Sequence, residues 1–248
     1  GRYGEFAAST FFTAADPFRR SPSCMPWDRE AKAHVTDDPR NFVVGLSDEG
    51  GAGANVGFAA KVRHRPVAAE LKLLDRYIHE TLWGQEPDGA GVPVSLQARD
   101  GSYGVQASMF WVPLPHSNET GMPTYNYTWY DDTGWVWDRA RAESLGRAYN
   151  YPHQASVYWS MYRALRDNDR MRAAKPASWY LDQAALTVLG MWNVSRWYSQ
   201  MGLMVGSVFL ELLRDLKSEA HPLANAVRDI MFNRTAVGVT YYSSAACK

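Results

Sequence analysis

The chain lacks an excess of either charge. Lysine plus arginine and aspartate plus glutamate number 26 each, giving a formal net charge of zero. No basic stripe is present for nucleic acid and no polybasic segment for an anionic membrane surface. Long apolar runs are also missing: no stretch of about eighteen uncharged apolar residues occurs, so no membrane-spanning helix is expected. Cysteine is scarce, with only Cys24 and Cys247, which excludes a dense disulfide scaffold. One long-loop disulfide and two separate thiols both remain open. The His79-Glu80 pair lacks the second histidine of a zinc-protease helix. Gly51-Ala-Gly53 lacks the third glycine and the βαβ alternation of a dinucleotide site. Neither a metal nor a cofactor is therefore expected. No initiator methionine or apolar leader precedes Gly1, as expected of a processed or partial chain.

Aromatic residues, in contrast, are abundant: ten Trp and fourteen Tyr in 248 residues, long enough for a sizeable core. A single domain over 1–248 is expected. Residues 1–44 have no sustained period and carry Pro17, Pro22, Pro26 and Pro39, which predicts an irregular segment laid over a core. A helix is expected over about 54–64, and residues 67–83 have helical periodicity, ended by Gly84. Residues 85–137 form an aromatic loop, in which Asp100-Gly101 signals a β-hairpin. Helices follow over 151–167, 177–197, 207–219 and 222–234, with Asn150 a candidate N-cap of the first, Ser207 a candidate N-cap of the third and a weakly patterned tail after Ala236. These pair into three helical hairpins with short internal connections. In an up-down array, every connection between pairs lies at the same end. Ser47-Asp48-Glu49, the 85–137 loop, the 147–153 stretch and the 198–206 bend should all converge there.

The stretch Arg147-Ala-Tyr149-Asn150-Tyr151-Pro-His153 places a guanidinium, two phenols, an amide and an imidazole at the start of one helix. Convergent polar groups beside aromatic rings suit a sugar, and Trp135 and Trp137 in the adjacent loop are candidates to stack on it. Asp48 and Glu49 are candidate acids. Four of nine asparagines lie in Asn-x-Ser/Thr, namely Asn118, Asn126, Asn193 and Asn233, which points to an N-glycosylated, secreted and extracellular protein.

Several longer strings bear a family resemblance: Gly45-Leu-Ser-Asp-Glu-Gly-Gly-Ala-Gly53, Gly146 to His153 with Tyr158-Trp-Ser-Met-Tyr-Arg163, Trp179-Tyr-Leu-Asp-Gln183, and Gly202-Leu-Met-Val-Gly206 with Phe209 to Asp215. Together they resemble an uncharacterised family of secreted fungal and bacterial proteins grouped with the six-hairpin glycosidases. The resemblance runs from about residue 16 to 215. It implies a mostly α fold, an (α/α) helical-hairpin toroid, and carbohydrate-active chemistry, but supplies no catalytic residues. Three hairpins instead of six make a partial or shortened barrel the expectation.

Three functions follow as expectations. The first is a glycoside hydrolase using Asp48 or Glu49 as one carboxylate. Inverting enzymes hold their two carboxyls about 6.5–9.5 Å apart, so these neighbours cannot serve as both, and Asp131, Asp132, Glu143 and Glu211 are possible mates. The second is a polysaccharide lyase on a uronate polymer, in which Asn150 polarises the carboxylate while Tyr151 or His153 removes the adjacent proton and Arg147 assists. The third is a carbohydrate-binding or structural helical domain without turnover.

Overall fold

A computed structural model describes residues 2–13, 23–24, 27–34, 45–47, 50–84, 95–108, 139–199 and 203–245. The chain starts with a short helix, α1 (Arg2–Phe6), continued by a π-helical turn over Ala7–Phe11. Irregular structure was expected here. However, the prolines begin only at Pro17, and nothing in 2–11 prevents helical hydrogen bonding. Three two-stranded pairs follow: β1 (Phe12–Thr13) with β2 (Ser23–Cys24), β3 (Trp27–Asp28) with β4 (Ala33–His34), and β5 (Gly45–Ser47) with β6 (Gly50–Gly51).

The remaining described residues are mostly helical. The helices are α2 (Ala52–His64), α3 (Ala68–Arg76, continued by a π-helical turn over Tyr77–Leu82), α4 (Arg139–Glu143), α5 (Asn150–Arg166), α6 (Ala177–Val194), α7 (Arg196–Ser199), α8 (Val208–Ser218) and α9 (Ala224–Ala245). Gly84 takes φ +74°, the left-handed conformation that lets a chain leave a helix. Ser207 stands at the start of α8 but makes no side-chain capping bond. The helix α9 runs past Ala236 to Ala245, where the sequence pattern is weak. No proline interrupts that segment, so intrahelical bonds carry on without a strong apolar stripe.

Hydrogen bonds and ring contacts fix the helix directions. Ser195 at the end of α6 donates to the Gly146 carbonyl just before α5, so the two run antiparallel. Tyr77, late in α3, donates to Gln154, early in α5, so these are antiparallel as well. The Arg63 guanidinium at the end of α2 lies over Trp159 in the second half of α5, and Asp215 late in α8 meets the same half. Both α2 and α8 therefore run parallel to α5. Arg234 of α9 lies over Phe209 at the start of α8, which makes that pair antiparallel. The array is up-down. Connections within pairs lie at one end, and those between pairs at the other.

At the centre is α5, touching α2, α3, α6 and α8. From Asn150 to Tyr162 every residue of it is buried. Sequence periodicity marks only Val157, Met161 and Leu165 as its inner face. The rest can be buried because most of its polar side chains have partners inside the array, so burial does not leave them unsatisfied. Among the described residues, no helix is long and apolar enough to cross a membrane.

Candidate functional site

At the connection end, the 146–153 stretch serves as a junction. The Asn150 amide donates to the carbonyls of Gln106 and Ala107, at 2.7 and 3.1 Å. Its expected role as an N-cap is not what the structure has: Asn150 is the first helical residue and Tyr149 precedes it without a side-chain capping bond. The Tyr151 hydroxyl donates to the Leu145 carbonyl at 2.7 Å, and His153 Nδ1 lies 2.8 Å from the Tyr149 carbonyl oxygen. All three side chains are buried, and burial pushes the Tyr151 phenol well above its ordinary range. Arg147 and Tyr149 are half-buried, the guanidinium 5.9 Å from the ring centroid. The Ala107 and Ser108 N–H groups donate to Ser144 and Ala142. The hairpin, the segment before α5 and the end of α6 are thus joined at one place.

The hairpin itself forms around Asp100-Gly101 as expected, with Gln97 bridged to Val105. Its turn lies on α6 at Gly190, where a Cβ would sit 2.5 Å from the Tyr103 carbonyl oxygen. Only a glycine permits that approach. Gln97 connects three elements, donating to Thr187 at 2.8 Å and accepting from the Tyr158 hydroxyl at 2.8 Å.

Beside this hairpin, four half-buried rings from α3, α6 and the hairpin meet in one cluster. His79 stacks on Trp179 with centroids 5.1 Å apart, and Trp83 stacks on Tyr103 at 5.9 Å. The two indoles meet edge to face at 6.1 Å. Below them Tyr180 donates a short hydrogen bond to Asp75, whose other oxygen accepts from the Ala174 N–H at 2.8 Å. His79 Nε2 lies 3.1 Å from the Tyr180 oxygen and 3.3 Å from Asp75. Burial alone would raise the Asp75 carboxyl. The bonds from His79, Tyr180 and Ala174 outweigh it and hold the carboxyl below its ordinary value. Burial, and then the Asp75 charge, push the Tyr180 phenol upward.

The profile of a family described as "Family of unknown function (DUF5695)" matches residues 1–240. The chain belongs to the DUF5695 family. No curated protein and no solved structure matches it.

Several candidates of this DUF5695 chain fall outside the described residues: Asp48, Glu49, Asp131, Asp132, Trp135, Trp137, Asn118, Asn126 and Cys247. Asn193 and Asn233 are exposed, on α6 and α9. Glu143 and Glu211 engage in surface ion pairs with Arg139 and Arg214. Cys24 is a buried free thiol, pushed up to about 12 by its burial. No group of three His, Cys, Asp or Glu side chains among the described residues could hold a metal ion. Asp75, His79, Trp83, Tyr103 and Tyr180 were not singled out as site residues from sequence. The available signal was the four-residue spacing of Asp75, His79 and Trp83, which places them along one side of α3.

Proposed function

We propose that this chain is a carbohydrate-active protein, a glycoside hydrolase working at the end of the helical array where the connections between pairs meet. One observation carries the proposal: the two connections between pairs are bonded together there through Ser195 to Gly146, and Asn150 ties the hairpin of the first to α5. Sites gather where loops from a rigid scaffold converge. The up-down pairing is also consistent with an (α/α) toroid of the six-hairpin glycosidase type, of which these pairs would be a part. In sequence Asp48 and Glu49 come shortly before α2, which starts at this same end. On this proposal one of them works with a carboxyl from another connection. A protonated member gives its proton to the leaving glycosidic oxygen, and an ionised one activates water. Half-buried Arg147 and Tyr149 flank the substrate, and Trp135 and Trp137 stack on it. Such an enzyme fits an extracellular setting with glycans on the exposed Asn193 and Asn233.

Elimination chemistry draws less from the geometry. The Tyr151 phenol is held protonated by burial, and the Asn150 amide is already committed to two carbonyls.

The test is incubation with neutral and uronic-acid polysaccharides, following reducing ends and the ultraviolet absorbance of unsaturated uronates together. New reducing ends without absorbance, abolished in Asp48→Asn or Glu49→Gln, support the hydrolase. Both signals together on a uronate polymer would instead establish a lyase, and binding without either signal would establish a binding domain.

A further inference from the structure

Among the strings that set this sequence apart, Trp179-Tyr-Leu-Asp-Gln183 has no role in the chemistry proposed above. Its first two residues nevertheless meet side chains of α3. Trp179 stacks with His79 and meets Trp83 edge to face. Tyr180 is fixed on Asp75. Asp182 lies on another side of α6, 2.7 Å from His221. Gln183 follows Trp179 by one helical turn and precedes Thr187 by another. Since Trp179 meets Trp83 and Thr187 takes the Gln97 amide, Gln183 is on the side of α6 that faces the ring cluster and the hairpin.

Gln183 is 5% exposed, and its amide oxygen has no hydrogen-bond partner among the described residues. A buried acceptor without a donor is costly, so such groups are rare and call for a reason. Two further features converge on the same place. The π-helical turn that carries His79 brings the Trp83 N–H onto the Ile78 carbonyl, five residues back, and π-turns recur at functional sites. Tyr103, whose ring covers Trp83, holds a left-handed backbone at φ +55°, a conformation that is costly outside glycine and asparagine.

We infer that Trp179, Trp83, Tyr103 and His79, together with the Gln183 amide, form a subsite for a neutral pyranose ring. Aromatic rings give the apolar face of a sugar a surface to stack on. A sugar hydroxyl supplies the donor that Gln183 lacks, and the His79 imidazole takes a second hydroxyl. The commitment to a neutral sugar rests on balanced charge: the Asp75 carboxylate, bonded to Tyr180, His79 and Ala174, lies on one side and the Arg99 guanidinium lies 5.3 Å from the Trp83 centroid, so a charged sugar gains from neither alone. This inference rests on the carbohydrate function proposed above and locates a substrate ring within it.

The experiment is a set of calorimetric titrations of the full chain with cellohexaose, xylohexaose, mannohexaose and laminarihexaose. Each is run on the wild type and on an Asp48→Asn/Glu49→Gln background, so that turnover and binding are read separately. Gln183→Met keeps the shape of the side chain and removes the unpartnered oxygen. It is expected to leave the melting temperature unchanged or higher while weakening binding about tenfold, the scale of one lost polar contact. Trp179→Phe, which keeps a packed ring, is expected to weaken binding by a smaller factor. Failure of the wild type to bind any of the four sugars would overturn the inference. So would Gln183→Met and Trp179→Phe binding like wild type, even if hydrolysis itself were intact. Binding that depends on Gln183 without any hydrolysis would uphold the subsite and overturn only the hydrolase.

Discussion

The two ends of α5 are held by different chemistry. At its start, neutral groups bond mainly to backbone: Asn150 to Gln106 and Ala107, Tyr151 to Leu145, and His153 to Tyr149. At its end, charges meet charges. Asp215 of α8 accepts from the Trp159 indole at 2.7 Å, from Arg163 at 3.0 Å and from Arg166 at 2.8 Å, while Tyr162 donates to Glu219. The charged end joins helix to helix and needs no loop. The neutral end fastens loop to helix, as the proposed function of the connections would require. The strings Tyr158–Arg163 and Phe209–Asp215 both belong to the family resemblance, and they bond to each other in the charged cluster. Their use here is architectural.

The largest expected effect is at the charged end. Asp215→Ala leaves a buried indole N–H and two guanidinium groups without their shared acceptor and should cost about 3 kcal/mol, read as a lower urea midpoint. Oligosaccharide binding by the folded fraction should not change. A binding defect larger than the loss of folded protein would break the separation between the two ends.

Asn150→Ala should cost less, about 2 kcal/mol, because two buried carbonyls lose a neutral donor. Unlike Asp215→Ala, it should also loosen the hairpin over 95–108, seen as faster amide exchange there. An unaltered hairpin would show that the junction does not depend on this amide.

Tyr180→Phe should have a smaller effect, about 1 kcal/mol, and it should depend on pH. The Asp75 carboxyl is held below its ordinary value, so its bonded charge adds stability above the unfolded carboxylate range. That contribution disappears as pH falls through the depressed value. The gap in melting temperature between wild type and variant should therefore be wider at about pH 6 than at about pH 3. A gap independent of pH would mean that the hydroxyl contributes packing alone.

Smallest in energy is the behaviour of Cys24. With burial pushing its thiol up to about 12, a Cys247→Ser variant should react with a thiol reagent at about pH 8 only after unfolding. Rapid labelling of the folded variant would contradict the burial.

The helical hairpins were legible from the sequence because α3, α6 and α8 repeat their apolar residues at helical spacing, and Gly84 and Asp100-Gly101 mark real turns. The convergence of connections followed from the pairing alone. The all-round burial of α5 was not legible. Asn150, Gln154, Ser156 and Ser160 look like a solvated face until their partners or surroundings on α3, the hairpin and neighbouring helices are known. The ring cluster over Asp75 was hidden for a related reason. Asp75 and His79 come from the first hairpin and Trp179 and Tyr180 from the second, so no local pattern joins them. The start of α1 and the end of α9 escaped because helices without a sustained apolar stripe leave no periodic signal.

The most direct test is amide hydrogen exchange of the wild-type chain with and without each oligosaccharide in the panel. A sugar bound at the ring cluster beside the hairpin should slow exchange in peptides covering 77–84, 95–108 and 177–190, and leave 159–166 and 211–219 unchanged. Protection confined to the charged end, or none with any sugar, would contradict the account.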